Sequence, residues 1–431
     1  MTDQQNPAKP HIIVVGSGFA GISAYTALSK KGRGEVKITL VSDSLFFSHI
    51  PLIHEVAAGT IQPELVYWPV TDYIKCPKEE FIHARVKSVN ADIKTITLTE
   101  VDGDDVTLSY GALILAMGSV PFTFGTPGAE EHSLPFRTLH DAEHIRNRVL
   151  HMCNSAREAQ DEGLRHDMLS FILVGGGATG IELAGELAEM FTKEIACRYP
   201  DLTQYLRLTM VERADGLLKE REPWFGMKVV EMLKQDGVQI LFGRHITNVT
   251  PDGIEAQEGN IRGKTVIWTG GAQGTDILIE SAQSIAHDEK SGRIITTPFL
   301  NLEAYPNIYV AGDQAFVLQK NGTPYGMRAQ FAVRQGKRAA LNILKALRGH
   351  AGKRFEWEER GFILTVGKGH ALAEIGGFRF TGLFAWIICH AVYIQSIVGF
   401  WMRLKSAWYW TKHFIKARNI CQLSVTSKQG R

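Results

Sequence analysis

One pattern occurs twice in this chain and limits its fold more than any other feature: an apolar, β-branched run, a glycine turn, then a helix-like stretch. In the first copy His11–Val15 leads into Gly16, Gly18 and Gly21, followed by a helical stretch through Lys30 and a second strand at Val36–Val41. In the second, Leu169–Val174 leads into Gly175, Gly177 and Gly180, a helix through about Cys197 and a strand at Leu206–Val211. Strand, glycine turn, helix and strand open a doubly wound sheet, so the expected class is α/β with two Rossmann-type domains. The copies start 159 residues apart in a chain of 431, which leaves each room for its own domain.

The spacing has a chemical reason. The first glycine permits the tight turn, the second lets the backbone approach a pyrophosphate, and the third lets helix and strand pack closely. The helix N-terminus then offers N–H groups and a positive dipole end to the phosphates. One such turn is weak evidence, since glycine turns are common; two, each after a strand and before a helix, point to dinucleotide binding at both. Further strand ends repeat the grammar: Ala112–Ala116 runs into Gly118, Thr265–Thr269 into Gly270 and Gly271, and the strand near Ile308 into Gly312 and Asp313. A carboxylate placed like Asp313 can hold the ribityl chain of a flavin, though it can equally cap a turn.

An acid at the end of the second strand should hold the adenosine ribose hydroxyls. Glu212 fits in the second copy, although it lies 32 residues beyond Gly180, which requires an insertion in the intervening helix. Its charge should repel a 2′-phosphate and favour NADH over NADPH, while the adjacent Arg213 works against that preference. In the first copy Ser42 occupies the expected place and Asp43, next to it, is the candidate; as a plain strand-end turn residue it would mean nothing.

Two nucleotide sites imply hydride transfer between a nicotinamide and a flavin. The five cysteines (Cys76, Cys153, Cys197, Cys389, Cys421) form no paired motif, so neither a disulfide reductase, a disulfide framework nor a metal site is indicated. Sulfide-oxidising quinone reductases need cysteines flanking the flavin, and none lies between Cys197 and Cys389. The net charge of +2 excludes a global field for nucleic acid. It hides an asymmetry, however: beyond Glu374 there is no acid and eight basic residues, Arg379, Arg403, Lys405, Lys412, Lys416, Arg418, Lys428 and Arg431. A basic tail on an acidic body points to an anionic partner surface. The polar start, residues 1–10, lacks the apolar core of a signal peptide and reads as a short tail before the first strand.

Leu383–Met402 holds no formally charged residue over 20 positions, and Trp386, Trp401, Trp408 and Trp410 cluster in this tail. The length suits a membrane-spanning helix. The internal His390 and Gln395, with the flanking tryptophans and lysines, suit a helix lying in the interface. A buried core or dimer helix is the bland alternative, and all three stay open here.

Three segments resemble the type II NADH:quinone oxidoreductases, the single-subunit alternative NADH dehydrogenases: Ile50–Gly59, Val174–Leu187 and Ala329–Gly336. Similarity runs nearly end to end, and Gly382–Phe414 resembles that family's membrane-binding tail. The resemblance implies FAD at Gly16, Gly18, Gly21, Asp43, Gly118, Gly312 and Asp313, and NADH at Gly175, Gly177, Gly180, Glu212 and Gly270. It places Gln330, with Arg334 and Gln335, beside flavin and quinone; Arg334 stands where the family usually has a second glutamine. His49 and His54 stand where it more often has a hydroxyl or aromatic residue. Glu182 would lie by the nicotinamide and flavin, against a plain reading as a first-turn carboxylate favoured by the helix dipole. Lys368 would lie in the flavin and quinone neighbourhood, against a plain reading as a surface lysine.

The expected layout is an FAD domain in two parts (1–125 and 276–348), a connecting segment (126–168, softest at Asp161–Asp167), an NADH domain (169–275) and a C-terminal membrane module (349–431). The expected activity passes a hydride from NADH to flavin and two electrons to a membrane quinone, without proton pumping. The expected location is peripheral, on the cytoplasmic side of the inner (cytoplasmic) membrane, with residues about 382–418 on the lipid; a homodimer is left open. The rivals are a soluble flavin reductase serving an electron carrier and a non-catalytic flavoprotein sensor docking through its basic tail.

Overall fold

The computed structural model describes residues 9–74, 79–359, 361–396 and 400–415. Cys76 and the basic residues from Lys416 onward lie outside the described residues. The chain divides into two compact units, each assembled from three stretches: Met1–Ser48, Trp68–Val120 and Ala272–Glu358 form the first, and His49–Tyr67, Pro121–Gly271 and Glu359–Arg431 the second. Six helices carry the residues of interest: α1 (Phe19–Lys31), α2 (Ile53–Ala57), α3 (Ala178–Glu189), α4 (Ala329–Leu347), α5 (Gly382–Ser396) and α6 (Phe400–Ile415).

The first unit is built on an eight-stranded sheet. His11–Val15 lies inside it, parallel to Lys37–Ser42 on one side and Ala112–Leu115 on the other. Ile308–Val310 adds outside Ala112–Leu115, so two distant stretches of sequence end side by side. Ile12, Ile13 and Val14 are completely buried, as near-continuous apolar strands of a sheet covered on both faces should be. Helices α1 and α4 pack closely because Gly336 of α4 meets the Ala20 carbonyl: a Cβ there would come within 2.0 Å of that oxygen.

The second unit repeats the design with five parallel strands, in the order Ser133–Pro135, Thr265–Trp268, Ser170–Val174, Arg207–Val211 and Gln239–Leu241. The long spacing between Gly180 and Glu212 is taken up after α3 by a π-helical stretch, Met190–Ile195, a short turn and the 3-10 segment Pro200–Tyr205. The segment read as the softest boundary is a helix, Glu162–Met168, started by Asp161, whose carboxylate accepts the Leu164 N–H. This unit also holds a three-stranded antiparallel sheet, Gly361–Thr365, Ala371–Ile375 and Phe378–Thr381, against which α5 packs.

No described helix is long and apolar enough to cross a membrane. Of the uncharged stretch of 20 residues, the positions through Ser396 belong to α5 and those from Phe400 to α6. Both helices are two-sided. Ala385, Cys389, His390, Tyr393, Ser406 and Trp410 face inward, while Phe384 (60% exposed), Ile387 (51%), Leu404 (52%) and Trp408 (70%) face out.

Candidate functional site

The two glycine turns have the same geometry, and it differs glycine by glycine as phosphate binding requires. Gly16 has φ +99°, and a Cβ there would sit 2.2 Å from the Ala116 carbonyl oxygen. At Gly21 a Cβ would sit 1.8 Å from the Gly16 oxygen. Gly18, between them, has nothing within 4 Å of its Cβ position. In the second unit Gly175 (φ +111°) and Gly180 are blocked at 2.7 and 2.1 Å by the Gly270 nitrogen and the Gly175 oxygen, while Gly177 again faces open space. Gly18 and Gly177 cap α1 and α3 with no side-chain hydrogen bond, and neither helix has an acid in its first turn. Each turn therefore leaves an open cradle at a positive helix end, the shape and charge that a pyrophosphate needs.

Around the first cradle, Gly118 has φ +78° and open space at its Cβ position. The Asp313 carboxylate accepts from Ser119 Oγ at 3.1 Å, and the fully buried Gln314 receives the Met117 N–H while donating to Thr275 O. Gln314 was not singled out in the sequence; its only signal is adjacency to Asp313. Asp43 follows the strand Lys37–Ser42 as expected, exposed, with its carboxylate 3.9 Å from Arg85. The neighbouring Ser42, which looked like a gap in the pattern, is buried and hydrogen-bonded to Ser17 of the glycine turn at 2.8 Å.

Gln330 lies in the first turn of α4, half-buried. Arg334, four residues on, donates to the Gln330 carbonyl at 2.7 Å and stacks its guanidinium 3.7 Å from the Trp357 ring centroid. Gln335 needs a correction. It is 2% exposed and its amide oxygen accepts the Gly312 N–H at 2.8 Å, so it shapes the Asp313 turn and is not available to a quinone.

In the second unit Glu212 leans over its glycine turn. One carboxylate oxygen accepts the Gly176 N–H at 2.6 Å and the other the Ala214 N–H at 2.7 Å. Each oxygen keeps a lone pair for a ribose hydroxyl. Arg213 points elsewhere, its guanidinium 5.8 Å from the Phe124 ring centroid. Gly270 abuts Gly175 across the turn, 3.7 Å from its Cβ position to the Gly175 Cα.

Glu182 is the fifth residue of α3, in the second turn and not the first, so the helix dipole is a poor account of it. It belongs to a buried ionisable cluster that sequence reading did not assemble. Glu182 accepts from Tyr393 Oη of α5 at 3.2 Å and lies 3.8 Å from His54 Nδ1 of α2. His54 Nε2 meets Thr365 Oγ1 at 3.0 Å. Glu55, next along α2, is 2% exposed and takes His390 Nε2 of α5 on one oxygen and Trp410 Nε1 of α6 on the other, both at 2.9 Å.

The charges follow from these contacts. Burial, reinforced by the charge of Glu55, pushes Glu182 up to about 8 against the donors Tyr393 and Thr365. Glu182 is thus a neutral acid at pH 7. Burial holds His54 down to about 4, and the neighbouring His390 adds to this. Burial alone would raise Glu55, but the charge and hydrogen bond of His390, with His54 and Trp410, bring it below the usual carboxylate range. Lys368 is half-buried, and its backbone N–H is held by Glu189 of α3 at 2.7 Å. Its loop touches α3 closely: a Cβ on Gly185 would come within 2.5 Å of the Val366 carbonyl carbon.

The profile of the pyridine nucleotide-disulphide oxidoreductases matches residues 10–336, which takes in both glycine turns. The chain belongs to that family. Among the described residues Cys153 and Cys389 are free and buried, and Cys197 is free and exposed. Within the family it is similar to a type II NADH:quinone oxidoreductase of Mycobacterium tuberculosis, 28% identical over 99% of this chain and 92% of that protein. It is also similar to the type II NADH:quinone oxidoreductase of Staphylococcus aureus, at 27% over 86% of this chain and 91% of that protein. The resemblance read from the sequence is therefore borne out. Among solved structures, NDH2 from Plasmodium falciparum in complex with NADH has the same fold, with a TM-score of 0.84 and 18% identity over 96% of this chain and all of that one. The fold extends to the sulfide:quinone oxidoreductase of Aquifex aeolicus, with a TM-score of 0.70 and 18% identity over 93% of this chain and 92% of that one.

Proposed function

We propose that the protein is a type II NADH:quinone oxidoreductase that binds FAD in its first unit and NADH in its second, and reduces a membrane quinone without pumping protons. The observation that carries the dinucleotide reading is the pair of open cradles at Gly18 and Gly177, each flanked by glycines that admit no side chain. When bound, FAD supplies a flavin that accepts a hydride equivalent from NADH and passes two electrons on. The residues around it bind and orient. Gly16, Gly18 and Gly21 seat the flavin's pyrophosphate, Asp43 its ribose and Asp313 its ribityl chain, with Gly118 and Gly312 giving the backbone room. Gly175, Gly177, Gly180 and Gly270 do the same for NADH, and Glu212 holds the ribose. Gln330 is the quinone-side residue, Arg334 supports it through its carbonyl, and Lys368 offers a cation. The outward apolar faces of α5 and α6 seat the enzyme on the cytoplasmic face of the membrane as a peripheral protein. The deciding experiment is to ask whether NADH bleaches a bound flavin whose colour an added quinone then restores; a flavin that NADH leaves oxidised would refute the reading.

Nicotinamide choice follows from Glu212. A 2′-phosphate would sit against its carboxylate, so NADH should exceed NADPH in kcat/KM by at least a hundredfold, about 3 kcal/mol of unfavourable pairing. Glu212→Ala should narrow that ratio about tenfold or more. A wild-type enzyme that prefers NADPH would transfer control of the site to Arg213.

Gln330 separates the two half-reactions. Gln330→Ala should slow reoxidation of the flavin by quinone about tenfold while NADH still bleaches it at close to the normal rate, as measured by stopped flow. The loss of one or two hydrogen bonds to a carbonyl oxygen sets that size. Slow bleaching with intact reoxidation would move Gln330 to the nicotinamide side.

A further inference from the structure

Helix α5 reaches inward with two polar side chains one turn apart, and each finds a different carboxylate. His390 Nε2 meets Glu55 Oε1 at 2.9 Å, and Tyr393 Oη donates to Glu182 Oε1 at 3.2 Å. His390 Nδ1 donates to the Trp386 carbonyl at 2.9 Å, which fixes the ring and leaves Nε2 facing Glu55. With Trp410 of α6 on the other oxygen of Glu55, both tail helices are fastened at one buried carboxylate. That latch fixes α5, and α5 fixes Tyr393. A helix whose outer face is apolar thus carries on its inner face a donor for the one acid in this cluster that is neutral at pH 7.

We propose that Tyr393 is a positioning residue, orienting the Glu182 carboxyl for the proton transfer that accompanies reduction of the acceptor, so that the tail is a working part of the site as well as its anchor. The inference rests on the quinone reading. NADH and a quinone give NAD+ and a quinol only if one proton is taken from solution: NADH loses two electrons and one proton as a hydride, and the quinone gains two electrons and two protons. Glu182 is suited to relay the missing proton. It is neutral at pH 7, and its side chain keeps 14% exposure, where His54 has 2%. The groups that face Glu182 are His54 and Glu55 from α2, Thr365 from the strand Gly361–Thr365, and Tyr393 and Cys389 from α5. Burial pushes the Cys389 thiol up to about 12 and the Tyr393 phenol well above its ordinary value, so both stay uncharged. Burial and Glu55 favour the protonated carboxyl, while Tyr393 and Thr365 favour its anion. The Tyr393 hydroxyl therefore makes the proton easier to release.

In the full-length, flavin-loaded enzyme, the infrared band of the protonated Glu182 carboxyl, assigned by its loss in Glu182→Gln, should titrate near pH 8. In Tyr393→Phe the midpoint should rise by roughly 0.5–1 unit, the worth of one hydrogen bond. The alkaline limb of kcat/KM for a soluble short-chain quinone should rise with it. Incorporation of 3-fluorotyrosine at position 393, which keeps the shape and strengthens the donor, should move both midpoints down and covers the case of a phenylalanine variant that does not fold. Unmoved infrared midpoints, or midpoints that move while the quinone profile does not, would overturn the proposal. So would a fall in quinone activity matched by an equal fall in binding to anionic vesicles, which would mark a purely structural role. If the wild type fails to reduce quinone at all, the functional reading fails, and the infrared titration still decides whether Tyr393 controls Glu182.

Discussion

Gly18→Val should yield folded protein without flavin. Gly18 has φ −75° and ψ −169°, extended backbone that a β-branched residue adopts readily, and nothing lies within 4 Å of its Cβ position. Folding thus has little reason to suffer, and the thermal midpoint should stay within a few degrees of wild type. The valine would occupy the open space at the start of α1, which the proposed function gives to the pyrophosphate. Displacing it forfeits two or more charge-assisted hydrogen bonds, roughly 3–6 kcal/mol, or a loss of affinity of roughly a hundredfold to ten-thousandfold. Flavin absorbance in the purified protein should fall to near nothing. Gly16→Val is the contrasting variant: with φ +99° and the Ala116 oxygen 2.2 Å from the Cβ position, it should misfold. Gly177→Val should leave the protein yellow and slow only its bleaching by NADH. A Gly18→Val protein that keeps its flavin would move FAD out of the first cradle.

This contrast shows how much of the site was legible. The glycine spacing predicts both cradles because their geometry is local: a turn, a strand end and a helix start lie within about a dozen residues, and only glycine satisfies the positive φ. Glu212 was legible for the same reason, since a strand end fixes its place. Gln335 was misread because neighbours in a helix point in different directions. Residue 330 lies half-buried in the first turn, whereas residue 335 is turned into the core against Gly312.

The acid cluster was out of reach for a different reason. Glu55 and His390 are 335 positions apart, and no periodicity relates them. What the sequence did contain was a pair of anomalies: a carboxylate within the apolar run Ile50–Gly59, and a histidine within an uncharged tail. A buried charge has to be paired, and each anomaly answers the other. The same logic explains the tail's charge. Arg379, counted among its eight basic residues, is paired with Glu222 and Glu374 and does not contribute a bare cation to any surface.

The second large effect concerns that tail. A combined Phe384→Ser, Ile387→Ser and Trp408→Ser variant should lose binding to anionic vesicles by about a hundredfold while keeping its flavin and its reaction with soluble quinone. These side chains are 60%, 51% and 70% exposed; Phe384 also meets Phe380 of the antiparallel sheet edge-on, 5.4 Å between ring centroids, and with most of each side chain already in solvent their removal should cost the fold little. A fully buried large apolar side chain is worth about 1.5–3 kcal/mol. Three that are half-covered already should contribute about 3 kcal/mol together when lipid covers the rest. The exposed Lys405 and Lys412 can each add about 1 kcal/mol near an anionic leaflet, screened by salt. A salt wash should therefore release only part of the wild-type enzyme and nearly all of the variant. Deleting the chain after Ile375 would be a poorer test. It would strip His390 and Trp410 from Glu55 and strand a buried carboxylate, at a cost of about 3–5 kcal/mol, so lost binding could not be told from lost folding. The outer-face variant leaves that latch intact. Undiminished vesicle binding by a folded triple variant would show that α5 and α6 turn these faces toward another protein or a second copy of the chain, and the mass of the particle in solution would tell which.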